Sequence, residues 1–247
     1  MSNKLQNKIV IVTGGNGLLG SVILEQIKQE GAFCINFEIN HKTNDDLSNV
    51  ECDITNKDSI NHALSLVIKK YKRIDGLLNN AYPRTNDWEN KFEDIELESW
   101  KQNIEWQLNS YFYMSQQVAK QMAKQKKGSI INMASIYGVI APDFSVYNET
   151  NMTMPAAYVA IKGGLINLTR YMASYFGPKQ IRVNAVSPGG IFDNQNSIFV
   201  QNYEKKVPMR RMGSPDDIAP AVVFLLSNDS KYITGQNIII DGGWTCI

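Results

Sequence analysis

The sequence predicts a doubly wound α/β fold, in which helices cover both faces of one parallel sheet. Short, continuous apolar runs rich in β-branched residues alternate with amphipathic segments along the whole chain, and such runs are typical of strands buried on both faces. Parallel neighbours require crossover helices, which pack above and below the sheet. The chain has 247 residues, 43% of them hydrophobic, and no repeat or linker-like stretch. We therefore expect a three-layer α/β/α arrangement in a single domain spanning residues 1–247.

The elements follow in a regular order. Residues 9–12 form a β-branched strand, a glycine-rich turn follows at 13–20, and an amphipathic helix is predicted at 21–30. The pattern after this first unit predicts strands within 31–38, 49–54, 76–80, 129–133, 181–186 and 237–240, separated by helices at 57–71, 100–124, 158–176 and 215–226.

Charge and cysteine content narrow the classes of function. Lys and Arg total 25 against 24 Asp and Glu, so no basic stripe indicates nucleic-acid binding. Cys34, Cys52 and Cys246 are odd in number and far apart, which predicts neither a metal site nor a disulfide framework. No signal-peptide pattern or apolar run of about 20 residues is present. We expect a cytoplasmic protein that acts on a small molecule.

The glycine-rich turn indicates a nucleotide site. Ligands of such sheets bind beyond the carboxyl ends of the strands, and glycines at 14, 15, 17 and 20 let the backbone approach a pyrophosphate at a helix N-terminus. A turn that needs glycine only for its geometry would look the same, but the position directly after the first strand favours the nucleotide.

Two acidic residues refine the prediction. Glu38 ends the second strand, where a carboxylate accepts hydrogen bonds from ribose hydroxyls and repels a 2′-phosphate. NAD is therefore expected over NADP, although Lys42 lies nearby. Asp53 ends the third strand, where it would meet the adenine or form a turn.

Tyr158 and Lys162 are the candidate acid/base pair. Residues four apart share one helix face, and a cation within about 4–6 Å lowers a phenol pKa from about 10 toward neutrality. Such a pair exchanges protons near pH 7. The same spacing also occurs in ordinary surface helices, so the pair alone does not establish a site.

The ordered motifs together resemble the short-chain dehydrogenase/reductase family of single-domain, Rossmann-like enzymes. They are the glycine-rich turn, residues 79–81, Ser135, the Tyr158/Lys162 pair and residues 187–191, and the likeness covers essentially the whole chain. A weaker likeness connects the chain to members from bacterial surface-glycan and flagellin-glycan pathways. It rests on the long polar insertion before Tyr158.

The resemblance implies hydride transfer between a carbinol and a carbonyl with NAD(P). It assigns acid/base chemistry to Tyr158, substrate-oxygen binding to Ser135, and both pKa lowering and ribose binding to Lys162. The family's relay asparagine aligns with Gln107. Nucleotide contacts are implied, or expected from the preceding arguments, for Gly14, Asn16, Gly17, Leu18, Leu19, Gly20, Glu38, Asp53, Ile54, Asn80, Ala81, Tyr158, Lys162, Pro188, Gly189 and Ile191. A homo-oligomer, tetramer or dimer, is also implied.

Several positions depart from the family pattern. Leu18 stands where the turn usually has glycine, Tyr82 replaces a glycine, and Asp193 replaces a threonine. The connection before Tyr158 is about ten residues longer than usual, a length at which loops often carry function. We interpret 139–154 as a substrate loop, with a tolerated surface insertion as the alternative. Residues 192–208 are expected to form a second substrate lobe, whose Asn194, Gln195, Asn196 and Tyr203 suit a hydroxylated ligand.

The leading hypothesis is an NAD-dependent oxidoreductase for a secondary alcohol or ketone of a sugar or sugar derivative. One alternative is a 3-oxoacyl-type reductase that uses NADPH, which Glu38 argues against. Another is a nucleotide-binding sensor or scaffold without catalysis, which retention of Ser135, Tyr158 and Lys162 argues against. A hydrolase is disfavoured, because His41 and His62 are the only histidines and neither stands near a nucleophile elbow.

Overall fold

The computed structural model describes residues 3–247 as one seven-stranded parallel sheet. Its strand order is β3-β2-β1-β4-β5-β6-β7. The strands are β1 Ile9–Thr13, β2 Phe33–Glu38, β3 Asn49–Glu51, β4 Gly76–Asn79, β5 Gly128–Met133, β6 Ile181–Pro188 and β7 Asn237–Ile240. The strand order reverses direction between β1 and β4, which opens a crevice at their carboxyl ends. The predicted doubly wound fold is confirmed.

Helices cover both faces of the sheet. They are α1 Leu18–Gln29, α2 Lys57–Tyr71, α3 Leu97–Asn103, α4 Ser110–Gln125, α5 Ala156–Phe176, α6 Ser197–Lys206 and α7 Pro215–Leu226. The alternation of β1 shows the layering: Ile9 and Ile11 pack with α2, α4 and α5, whereas Val10 and Val12 pack with α1 and α7. The central strands β1, β4, β5 and β6 therefore bury both rows of side chains, as the continuous apolar runs predict, whereas the edge strands β3 and β7 stay partly exposed.

Some boundaries differ from the prediction. The helix expected at 100–124 is two helices, joined by a π turn at Ile104–Asn109. The third strand ends at Glu51 because Asp53 turns the chain, its Oδ1 accepting from the Thr55 amide at 2.8 Å. Helix α6 was not predicted as an element and lies within the 192–208 segment.

A row of buried polar side chains crosses the centre of the sheet. Asn79 Nδ2 donates to Ser115 Oγ at 2.8 Å and to Asn132 Oδ1 at 2.9 Å. Asn132 Nδ2 in turn donates to Thr169 Oγ1 at 2.9 Å. Since Asn79 and Asn132 are register partners, these bonds fix β4 against β5 and connect both strands to α4 and α5.

Over residues 3–247, no helix is long and apolar enough to cross a membrane. The same part of the chain holds no group of three or more His, Cys, Asp or Glu side chains suited to a metal ion.

Candidate active site

A cleft of about 1120 Å³ lies beyond the carboxyl ends of the central strands. It brings together the predicted nucleotide residues and the predicted acid/base pair. The predicted residues that line it are Gly14, Gly17, Leu18, Leu19, Glu38, Asp53, Ile54, Asn80, Ala81, Tyr158, Lys162, Pro188, Gly189 and Ile191. The cleft is thus continuous from the glycine-rich turn to Tyr158.

The glycine-rich turn forms a tight backbone cradle. Gly14 has a φ of +67°, and a Cβ there would lie 2.8 Å from Ala81 Cα. A Cβ on Gly20 would lie 2.1 Å from the Gly14 carbonyl oxygen. Gly17 precedes α1 in an extended conformation without a side-chain cap, so the first amides of α1 keep their capacity to bind an anion. A dinucleotide pyrophosphate fits this cradle.

Glu38 and Asp53 stand farther along the same side of the cleft. Glu38 accepts from the Asn16 amide at 3.3 Å and the Ile39 amide at 3.1 Å, bonds that orient its carboxylate at the edge of the cleft. Asp53 lines the cleft and also forms the turn, with Oδ1 bound to the Thr55 amide and hydroxyl. Asp53 thus forms the turn, and its contact with the adenine stays a prediction.

Four predicted residues do not line the cleft: Gly20, Ser135 and Gln107 are buried beside it, and Asn16 is exposed at the glycine-rich turn. Asn16 accepts from Asn36 Nδ2 at 3.0 Å, and Gly20 packs beneath Gly14. Ser135 and Gln107 are 4% and 2% exposed. Their positions make Asn16 and Gly20 part of the support of the turn.

Lys162 is buried below Tyr158. Its Nζ donates to the Met133 carbonyl at 2.8 Å and lies 5.3 Å from the Tyr158 ring centroid. Burial lowers the pKa of Lys162 to about 7. Burial also raises the pKa of Tyr158, while a hydrogen bond with Ser135 acts in the opposite direction. The pKa of Tyr158 is thus raised overall by burial, opposite to the lowering expected from Lys162.

Ser135 is oriented by the turn it begins. It precedes the 3₁₀ turn Ile136–Gly138, and its Oγ accepts from the Tyr137 amide at 3.2 Å. The hydroxyl proton can still be donated, which suits contact with Tyr158 or with an oxygen beside it.

Gln107 lies in the π turn and points inward. Its Nε2 donates to the Pro83 carbonyl at 2.8 Å, and its Oε1 is buried without a hydrogen-bond partner among residues 3–247. The amide therefore holds the segment after β4 and retains an acceptor for a further donor.

Tyr82 and Trp88 form an aromatic wall beside Tyr158. The Tyr82 ring meets Tyr158 edge-on at 5.8 Å and Trp88 edge-on at 5.7 Å. Arg84 lies 5.5 Å from the Tyr82 centroid. The tyrosine that replaces the family's glycine thus narrows the cleft. Sequence reasoning missed Trp88, whose only signal is a large aromatic residue in a polar stretch between β4 and α3.

The 139–154 segment packs on α6 at the open end of the cleft. Asp143 and Lys206 form an ion pair that lowers the pKa of Asp143 to about 2. Tyr147 stacks on Phe199, with ring centroids 5.2 Å apart. The two segments expected to shape the substrate site therefore form one unit.

The side chains expected to favour a polar ligand mostly form hydrogen bonds with the protein backbone. Gln195 Nε2 donates to the Ile191 carbonyl at 2.7 Å, and Asn196 Oδ1 accepts from the Ile198 amide at 2.8 Å. Tyr203 accepts from the Gly190 amide at 2.6 Å. These side chains carry little information about a ligand.

Comparisons with known proteins agree on the family. A family model described as enoyl-(acyl carrier protein) reductase matches residues 20–245. A post-translational flagellin modification protein A of Campylobacter coli is 35% identical, over 97% of this chain and 99% of that protein. A 7α-hydroxysteroid dehydrogenase of Bacteroides fragilis is 32% identical, over 98% of this chain and 96% of that protein.

A solved structure gives the same result. A short chain dehydrogenase from Leptospira borgpetersenii with bound NAD⁺ superposes with a TM-score of 0.90 at 37% identity, covering 98% of this chain and 94% of that one. The protein belongs to the short-chain dehydrogenase/reductase family. It is a nicotinamide-dependent oxidoreductase acting on CH–OH groups.

Proposed function

We propose that this enzyme uses NAD to interconvert a secondary alcohol and a ketone, on a sugar or sugar-derivative substrate. One observation carries the proposal: a single cleft joins the glycine cradle and Glu38 at one end to Tyr158 and Lys162 at the other. The cleft thereby has a place for a dinucleotide with its reactive end beside an acid/base group.

NAD supplies the hydride acceptor or donor, and the protein binds, orients and moves a proton. The first amides of α1 hold the pyrophosphate, while Pro188 and Ile191 bound the nicotinamide pocket. In the reductive direction, Tyr158 gives its phenolic proton to the substrate oxygen, and Ser135 stabilises charge developing on that oxygen. Lys162 binds the nicotinamide ribose and, when charged, favours the phenolate of Tyr158. Gln107 offers Oε1 to a relay donor.

The NAD preference rests on Glu38. Its carboxylate is fixed by two backbone amides at the edge of the cleft, in a position to accept from ribose hydroxyls and to repel a 2′-phosphate. The relative from Leptospira borgpetersenii, solved with NAD⁺, supports the same preference.

The sugar-derivative substrate rests on similarity to the flagellin modification protein and on the long 139–154 segment at the cleft. A 3-oxoacyl-type reductase using NADPH is the second candidate, favoured by the acyl-carrier description of the matching family model. A sensor or scaffold without catalysis would have no need for Tyr158, Lys162 and Ser135 to meet.

We also propose that the enzyme is cytoplasmic and forms a homo-oligomer.

The test is a side-by-side titration of the protein with NADH and NADPH, following energy transfer from Trp88 and Trp106, which both line the cleft. We expect NADH to bind at least about tenfold more tightly, and Glu38→Gln to bring the two affinities together, because the carboxylate is the group that discriminates. Preference for NADPH would favour the 3-oxoacyl-type reductase. Binding of neither dinucleotide would favour a sensor or scaffold without catalysis.

Glu51→Gln is the matched control. Glu51 is the register partner of Glu38 on the neighbouring strand but does not line the cleft, so its substitution should leave the NADH/NADPH ratio unchanged.

A further inference from the structure

Two phenols in the cleft take no part in the mechanism above. Tyr137 lies two residues after Ser135, and Tyr147 comes from the 139–154 segment. Both line the cleft, and their side chains are only 6% and 7% exposed. Neither was singled out as a site residue by the sequence.

The Tyr137 hydroxyl is unsatisfied. Tyr137 and Tyr147 belong to one buried cluster of side chains, yet the Tyr137 hydroxyl completes no hydrogen bond with any residue from 3 to 247. A buried hydroxyl without a partner is unfavourable. A small shift of either ring would allow Tyr137 to donate to Tyr147, which leaves the Tyr147 proton for an acceptor in the cleft.

The pair also lies near the reacting centre, because Tyr158 packs against the cluster that contains both phenols. Burial raises the pKa of both phenols, that of Tyr147 to about 12, and charge on Tyr158 raises both further. Both hydroxyls therefore stay protonated, and remain donors, across the working pH range. The Tyr147 ring is fixed by its stacking on Phe199.

We propose that Tyr147, positioned by Tyr137, donates a hydrogen bond to a substrate oxygen on the carbon next to the one that exchanges hydride. The inference rests on the proposed oxidoreductase function and deepens it: the substrate is a vicinal diol or, in its oxidised form, an α-hydroxy ketone. A site built around a hydroxyl discriminates against analogues that lack it more strongly than an apolar pocket discriminates by shape.

The experiment measures binding of cyclohexane-1,2-diol and of cyclohexanol to the protein–NADH complex, by the change in fluorescence of bound NADH. These two ligands differ by one neighbouring hydroxyl, and binding to this complex requires no turnover. We expect the diol to bind at least about tenfold more tightly than cyclohexanol. Tyr147→Phe should abolish that preference while leaving cyclohexanol and NADH affinities unchanged, because the phenyl ring keeps its stacking on Phe199.

Tyr137→Phe tests the positioning role, and should reduce the diol preference without altering NADH binding. Tyr232→Phe is the control, since Tyr232 is 99% exposed. Equal binding of the two alcohols by the unmodified protein, or a preference that survives Tyr147→Phe, would overturn the inference. Oxidation of both alcohols with NAD is measured in parallel. Failure of oxidation with the binding preference intact would count against the proposed function alone.

Discussion

Lys162 is the residue whose chemistry depends most on its surroundings. It is 4% exposed and its Nζ has one backbone carbonyl as partner. Removal from water disfavours its charged form, which is why burial brings its pKa down from the ordinary 10.5 to about 7. A lysine that is only partly charged at neutral pH gains charge when an anion or a ribose hydroxyl enters beside it.

This burial predicts a pH-dependent cost to stability. Between about pH 7 and 10.5 the unfolded chain holds a proton on Lys162 that the folded chain has lost, so the lysine's contribution to the unfolding free energy rises with pH across that window. Lys162→Met should therefore stabilise the protein at pH 7, by on the order of a few kcal/mol less the lost Met133 hydrogen bond. The advantage should fade toward pH 10.5.

Urea unfolding at a series of pH values measures this difference. The unfolding free energy of the unmodified protein is subtracted from that of Lys162→Met at each pH. This subtraction removes the contribution of Lys8, whose pKa is also lowered, to about 8. The exposed Lys179→Met serves as control, and a Lys162→Met advantage that does not vary with pH would contradict the burial argument.

At this scale the sequence predicted the residues that have a strict spacing or a fixed place after a strand. Tyr158, Lys162 and Glu38 belong to that group, and all three line the cleft. Tyr137, Tyr147 and Trp88 could not be singled out, because their roles depend on which way a loop side chain points. The effect of burial on the pKa of Lys162 could not be predicted from the sequence either, since burial depends on packing from several elements.

At the scale of elements, the contact between the 139–154 segment and α6 holds the segment in place beside the cleft. It combines the Asp143–Lys206 ion pair, the Tyr147–Phe199 stack and weak bonds from Asn202 to the backbone of the segment. The ion pair is about 40% exposed on both sides, so it contributes little to global stability. Its effect should fall on the local closing of the segment.

Asp143→Asn is thus expected to lower the unfolding free energy by less than about 1 kcal/mol, while it speeds amide hydrogen exchange in 139–154 and raises KM severalfold with little change in kcat. Exchange monitored by mass spectrometry, together with steady-state kinetics, measures these effects. Glu98→Gln removes a comparable exposed pair with Lys101 and should change neither. Unchanged exchange in Asp143→Asn would show that the stacked rings alone hold the segment.

Most elements of the sheet were predictable because their strands are mainly apolar runs between turn residues, although β3 is only Asn49–Glu51. Helix α6 was not, since only Phe199 and Tyr203 of its ten residues are buried and its pattern is too short to stand out. The capping of α6 by Asn196 was a usable signal that the sequence interpretation treated as a ligand contact instead.

The whole molecule leaves aromatic side chains exposed on the α4 and α5 faces. Phe112, Tyr171 and Tyr175 are 47%, 66% and 58% exposed, and the two tyrosine rings stack on each other at 6.1 Å. The two stacked tyrosines form an exposed aromatic patch, and such patches are typical of an interface. We expect these helices to pack against a second copy in a homo-oligomer, as the family resemblance implies.

The combined substitution Tyr171→Glu and Tyr175→Glu should dissociate that oligomer, because two carboxylates cannot be buried in an apolar contact without a partner. Light scattering after size-exclusion chromatography gives the mass of each species. Phe92→Glu changes another exposed aromatic residue, 81% exposed, and should leave the mass unaltered. A monomeric unmodified protein would exclude the interface.

The π turn at Ile104–Asn109 gives the long helical segment an angular offset. A π turn holds one residue more than an α turn, so α4 is rotated by about 100° relative to an uninterrupted continuation of α3. Gln107 consequently points into the protein, while Asn109 is exposed and its Nδ2 donates a hydrogen bond to the Glu105 carboxylate. The rotation about the helix axis at the π turn therefore decides which of these two side chains is buried. A residue count that assumes one unbroken α-helix therefore assigns the side chains on one side of the turn to the wrong helix face.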